Sequence, residues 1–224
     1  MNGFSLLPSF KKGRELVEYL AIQHGPFVPR ERLLETFWPG DRADHLEHRL
    51  HLAASGARAM LRSILDGFDA IACVGGGYGW SESVTIESDL QRFLVCAKAG
   101  DVDSAREGVR LYTGDFLAGE RADWISAMRA GCASRYLSML ECIALEEFAS
   151  YDYRTTLEYA LQIVAFDRGH EPAARLIMRS YAALGQRSAA RAEYDALTKF
   201  LALELGVKPS FETRSTLNAI LSPK

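Results

Sequence analysis

The 224-residue sequence contains no stretch of about 18 uncharged apolar residues, so a membrane-spanning helix is not expected. Its first ten residues, Met1 to Phe10, lack the charged-then-apolar order of a secretory signal. Cysteine is sparse: Cys73, Cys96, Cys132 and Cys142 are scattered without a close pair, which argues against a disulfide framework and against a zinc site. That usage fits a reducing, cytoplasmic setting. Basic charge is not in excess either. The 26 Lys and Arg against 29 Asp and Glu leave a formal charge of −3, so composition alone does not describe a strongly basic nucleic-acid binder. What is present is ordinary for a globular chain: 48% apolar residues, 25% charged residues and a length that suits one or two domains.

The pattern changes near residue 85, which predicts two domains, 1–85 and 86–224. In the first, Lys11–His24 places Leu16, Val17, Leu20 and Ala21 on one helical face before Gly25-Pro26 stops it. Pro29 opens a second helix with Leu33, Leu34 and Phe37, closed by Trp38-Pro39-Gly40. A third helix runs from about Ala43 to Leu65 on a core stripe of Leu46, Leu50, Ala53, Ala57, Met60 and Ile64. Two short strands, Ala70–Val74 and Tyr78–Ser81, flank a glycine turn. Three helices followed by a hairpin outline a winged helix with a short β-hairpin wing.

The second domain reads as all α, with helices over Glu87–Ala99, Asp101–Tyr112, Asp123–Ser150, Tyr153–Phe166, Glu171–Leu184, Ser188–Leu205 and Phe211–Leu221. A 34-residue shift superposes Phe148-Ala149 on Ala182-Ala183, Tyr151 on Gly185, Ile163 on Leu197 and Phe166 on Phe200. That period is the mark of tetratricopeptide-like helical hairpins. The fold class expected is therefore mainly α.

Opposite the core stripe of the third helix lie His48, His51, Ser55, Arg58 and Arg62, spaced three, four, three and four, so they face one partner. These side chains suit phosphate oxygens and base edges in a major groove; a solvated polar face is the alternative. Residues 1–85 hold nine Lys and Arg against ten Asp and Glu, so DNA contact would need locally placed charge. Lys11, Lys12 and Arg14 on the first helix, with Arg58 and Arg62 on the third, are the available set. His45, His48 and His51 have helical spacing, but successive steps of three rotate each ring by about 60°, so no metal site is expected. Gly75-Gly76-Gly77-Tyr78-Gly79 lacks the Gly-Lys-Ser/Thr ending of a phosphate loop. No nucleophile motif or paired carboxylate set emerges, so neither catalysis nor a cofactor is expected.

Several segments resemble bacterial transcriptional regulators of the antibiotic regulatory protein (SARP) type, which join an OmpR-type winged helix to a tetratricopeptide-like bacterial transcriptional activator domain. Gly13–Pro39 is similar to that family's first two helices, Leu50–Leu61 to its recognition helix and Gly75–Trp80 to its wing. The most specific likeness is LYTGDFLAGE followed by DW (Leu111–Glu120 and Asp123-Trp124). Arg179–Leu197 and Glu204–Arg214 complete the activator-domain pattern. The family's sheet before the first helix has only Gly3–Leu7 to match it, and Ala59 stands where an arginine is common.

The resemblance implies a cytoplasmic bacterial protein that binds double-stranded DNA with the third helix in the major groove and a wing, including Gly76 and Tyr78, on the backbone. It implies RNA polymerase or another partner at the turn after the second helix, Trp38–Arg42; Trp38 itself reads as core, which leaves Asp41 and Arg42 as the candidates for that contact. It also implies a homodimer. Leu161, Ile163, Val164, Phe166, Leu176, Ile177, Tyr181, Leu197, Phe200, Leu201 and Leu205 supply apolar surface for one, unless the repeats bury them internally. The other readings are a protein-interaction scaffold whose winged helix no longer binds DNA, and a ligand-sensing repeat domain, since stacked helix pairs leave a concave groove.

Overall fold

The computed structural model describes residues 11–23, 27–41 and 45–222. Gly3–Leu7 and Arg42 lie outside the described residues. The chain divides into two compact units, Met1–Gln91 with Ala122–Trp124, and Arg92–Arg121 with Ile125–Lys224.

In the first unit the order is α1 (Lys11–Ala21), β1 (Phe27–Pro29), α2 (Arg30–Phe37), α3 (Leu46–Ile64), β2 (Ile71–Val74) and β3 (Gly77–Trp80). Leu16 and Leu20 of α1, Leu33 and Phe37 of α2, and Leu50, Ala53, Ala54 and Ala57 of α3 share one buried core. Trp38 belongs to it, at 6% exposure. The alanines keep the α3 surface low, and Gly13 of α1 closes on it. A methyl at Gly13 would stand 2.7 Å from the Ala57 nitrogen and 3.1 Å from the Ala53 oxygen, so the two helices meet backbone to backbone.

The core stripe ends before Ile64, which is 59% exposed rather than buried. The last fully buried residue of α3 is Ala57, and its final turns extend past the layer that covers them. In the hairpin Val74 pairs with Gly77, leaving Gly75 and Gly76 as a two-residue turn. Both have positive φ, +60° and +81°, which a type I′ turn requires and glycine supplies without strain. A third strand, β1, was not foreseen from the pattern. It pairs antiparallel with β3 (Phe27 with Gly79, Val28 with Tyr78), making β3 the centre of a β1-β3-β2 sheet.

The helices that follow are α4 (Asp89–Ala99), α5 (Val102–Leu111), α6 (Asp123–Ala149), α7 (Tyr153–Phe166), α8 (Glu171–Ala183), α9 (Arg187–Phe200) and α10 (Phe211–Leu221). The 34-residue period is structural: α7 and α9 are offset by that number at both ends, as are the ends of α6 and α8. Two residues past those ends the chain turns through the left-handed region, at Tyr151 (φ +64°) and Gly185 (φ +78°). Asp101, Asp152 and Ser210 cap the starts of α5, α7 and α10 with side-chain oxygens.

Leu140, Ala144, Ala160, Ile163, Ala173, Leu176 and Ile177 fill the spaces between α6, α7 and α8. Ala174, Leu197 and Leu201 continue that packing to α9. Where the pattern predicts one helix through Leu205, α9 instead widens into a π-helical turn over Leu201–Leu205, closed by Gly206 at φ +67°.

One carboxylate ties the start of α8 to the start of α10. Glu171 Oε2 at the start of α8 accepts from the Ser210 amide (2.9 Å), the Ser210 hydroxyl (2.6 Å) and the Thr213 hydroxyl (2.6 Å). Burial alone would raise this acid, but those hydrogen bonds, with Arg175 nearby, outweigh it and hold Glu171 below the ordinary carboxylate range. Among the described residues no helix is long and apolar enough to cross a membrane.

Candidate nucleic-acid interface

His48, His51 and Ser55 stand exposed along one face of α3, as their spacing requires. Leu52 shares that face at 56% exposure, and Ala59 is exposed beyond it. Leu52 escaped the sequence reading because a leucine on this helix fits a core position equally well. Its place one turn from both His48 and Ser55 is the signal that could have found it.

The two arginines of the stripe turn toward the hairpin. Arg58 Nε donates to the Ile71 carbonyl oxygen at 2.9 Å, and its guanidinium lies 5.8 Å from the centre of the Tyr78 ring. Arg62 forms a two-pronged pair with Asp69, Nε to Oδ1 at 2.7 Å and Nη2 to Oδ2 at 2.5 Å. The hydrogen bond from Arg62 holds the Asp69 carboxyl below its ordinary range and raises Arg62 in turn. Both residues therefore fix how the hairpin leaves α3. Arg58 keeps guanidinium donors beyond Nε for another acceptor, whereas both forks of Arg62 face Asp69.

Other cations of the first unit are paired as well. Lys12 makes an ion pair with Glu15 at 2.8 Å, donates to the Phe37 oxygen at 3.3 Å, and lies 5.5 Å from the ring centres of Phe37 and Trp38. Arg14 pairs with Glu18 at 2.7 Å and Arg30 with Glu47 at 3.3 Å. Lys12 is thus a packing residue more than a surface charge, while Lys11 is exposed.

The hairpin also differs from expectation. Gly76 is exposed at the turn, but Tyr78, expected on the outer face of the wing, is only 7% exposed. Tyr78 lies in the central strand and belongs to the shared core, with the Arg58 guanidinium beside its ring. Burial, with a hydrogen bond to Cys73, raises its phenol above the ordinary tyrosine range.

In the turn after α2, Asp41 is exposed and pairs with Arg49 at 2.6 Å, and Arg49 stacks on the Trp38 ring at 4.9 Å. The buried tryptophan thus anchors an exposed charged pair. In the second unit, the LYTGDFLAGE segment is a loop held by Arg129 of α6, which donates to the carbonyl oxygens of Phe116 (2.7 Å) and Leu117. Tyr112 stacks on Tyr136 with ring centres 4.3 Å apart.

The surface expected for pairing divides in two. Ile163, Leu176, Ile177, Leu197 and Leu201 are buried between the repeats, while Leu161, Phe166 and Leu205 are 42%, 48% and 60% exposed.

Three comparisons bear on this arrangement. The profile of the bacterial transcriptional activator domain matches residues 89–221. No curated protein sequence matches the chain. Among solved structures, EmbR of Mycobacterium tuberculosis, determined in complex with a low-affinity phosphopeptide, has a similar fold, with a TM-score of 0.74 at 21% identity. The likeness covers 96% of this chain and 60% of the EmbR chain, so the present chain spans about three fifths of that protein.

Proposed function

The chain belongs to the bacterial transcriptional activator domain family, and from that premise we propose that it regulates transcription by binding specific duplex DNA through the exposed face of α3. The observation that carries the reading is the line His48, His51, Leu52 and Ser55, held outward by a helix whose opposite face is packed through Leu50, Ala53, Ala54 and Ala57. Imidazole and hydroxyl groups can bond base edges, and Leu52 suits a thymine methyl. Lys11 and the backbone at Gly76 supply phosphate contacts. Arg58 and Arg62 act by fixing the hairpin against α3, Arg58 also lending its remaining donors to a phosphate. The proposed boundary between the DNA-binding and activator domains is 85/86. Asp41, with Arg42, contacts RNA polymerase or another protein. Two copies pair through the helical domain, using apolar surface left exposed at Phe166, Leu205 and Phe211.

The experiment is selection of bound duplexes from a random pool by the full chain, followed by anisotropy titrations across salt. A recovered motif, weakened on His51→Ala or Ser55→Ala by about 1–3 kcal/mol with relaxed specificity, supports the reading. The salt slope should be shallow, because so many cations are internally paired. Those same pairs favour a second reading, a scaffold whose winged helix does not engage DNA. Failure to enrich any motif, with no binding at low salt, would decide for the scaffold.

A further inference from the structure

Between α7 and the α9–π segment lies a groove of about 570 Å³. That volume falls within the range of small-molecule sites, about 300–1,000 Å³. Leu161 and Val164 of α7 form one wall, and Phe200 and Leu203 form the other. The π turn contributes directly. Its wider winding interrupts the α-helical register after Phe200, and Leu203 lines the groove while remaining 71% exposed.

Glu193 of α9 also lines this groove. Its carboxyl has no hydrogen-bond or ion-pair partner among the described residues. It is half-buried, and that burial pushes it above the ordinary carboxylate range. The other charged groups lining the groove are Arg168, Lys199 and Glu204, all exposed to water. The exposed groups are satisfied by solvent, whereas a partly desolvated, unpaired carboxyl gains most from a cationic donor brought by a ligand.

We propose that this groove binds a small organic cation, a protonated amine on an apolar body. The ammonium donates to the Glu193 carboxylate, and the body lies against Leu161, Val164, Phe200 and Leu203. The site is independent of DNA binding.

The test uses the full chain and monodansylcadaverine, a dansyl fluorophore carrying a primary amine, beside dansylamide, which lacks the amine, and dansylglycine, which carries a carboxylate. The amine probe should bind saturably with blue-shifted emission and outcompete both others. Glu193→Gln, nearly isosteric, should weaken the amine probe about tenfold or more and leave dansylamide unchanged, as expected for loss of a charge-assisted hydrogen bond. Leu203→Arg, at an exposed position, should weaken the amine probe as well and so locate it in the groove. Thermal melts of both variants check that the fold is intact. No saturable binding of the amine, tighter binding of the carboxylate probe, or undiminished amine binding by Glu193→Gln would each overturn the proposal.

Discussion

Gly13→Ala isolates the contact that sets α3 against the rest of the first unit. The added methyl would stand 2.7 Å from the Ala57 nitrogen, 3.0 Å from the Gly56 carbonyl carbon and 3.1 Å from the Ala53 oxygen. All three are backbone atoms, so no side chain can swing aside, and α1 must lift away from α3. Overpacking of this kind costs about 1–3 kcal/mol. Against it stands the helix preference of alanine over glycine, at most about 1 kcal/mol and smaller in a first turn. A net loss of about 1–2 kcal/mol follows.

The assay is urea unfolding followed by tryptophan fluorescence. All three tryptophans, Trp38, Trp80 and Trp124, belong to the first unit, so the signal reports on it selectively. Gly108→Ala is the internal control, read by far-ultraviolet circular dichroism. Its methyl would meet chiefly the Met139 thioether, an adaptable side chain, and the change should stay within about 1 kcal/mol of wild type. If Gly13→Ala proved stabilising, as at an open helical site, the backbone-contact argument would be wrong.

Tyr151→Gly should stabilise the chain by about 0.5–1 kcal/mol, because a non-glycine residue in the left-handed region carries a steric penalty. Gly185→Tyr at the equivalent turn should do the reverse, and equal effects of the two in thermal melts would contradict the repeat correspondence. Glu171 is held below its ordinary range, so its contribution is present above the unfolded carboxyl range and lost as pH falls through the folded value. Glu171→Gln should therefore lower the urea midpoint at neutral pH and leave it nearly unchanged in strong acid; a pH-independent loss would refute this. Glu193 has the opposite sign: burial penalises its charged form, so stability declines as pH rises through and above the ordinary carboxyl range. Glu193→Gln should flatten that decline in midpoints measured against pH, and an unchanged slope would speak against it.

The helices were legible because their apolar residues recur with helical period and their ends carry strong stops, as at Trp38-Pro39-Gly40. The repeat was legible because the same side chains return every 34 residues. β1 was not: three residues ending in proline, with no alternation to read, are defined only by their partner β3, some fifty residues away. Periodicity placed His48, His51 and Ser55 on one exposed face but could not tell which polar residues of that face are engaged. Arg58 and Arg62 find their partners at Ile71 and Asp69, across the turn after α3, so their roles depend on tertiary geometry. Tyr78 misled for a related reason. A strand read as the edge of a hairpin exposes its tyrosine, while the same strand between two others buries it.

The tie between Glu171 and the segment Ser210–Thr213 changes how the helical array comes apart. A linear stack whose members touch only their neighbours is loosest at its ends, where one interface alone must be broken. Here α10 returns to a helix that begins about forty residues earlier, and it packs on α8 as well as α9. Opening of α10 is thereby coupled to opening of the repeat beneath it. Amide hydrogens of α10 should exchange with solvent in concert with those of α8, as one cooperative block instead of a graded series.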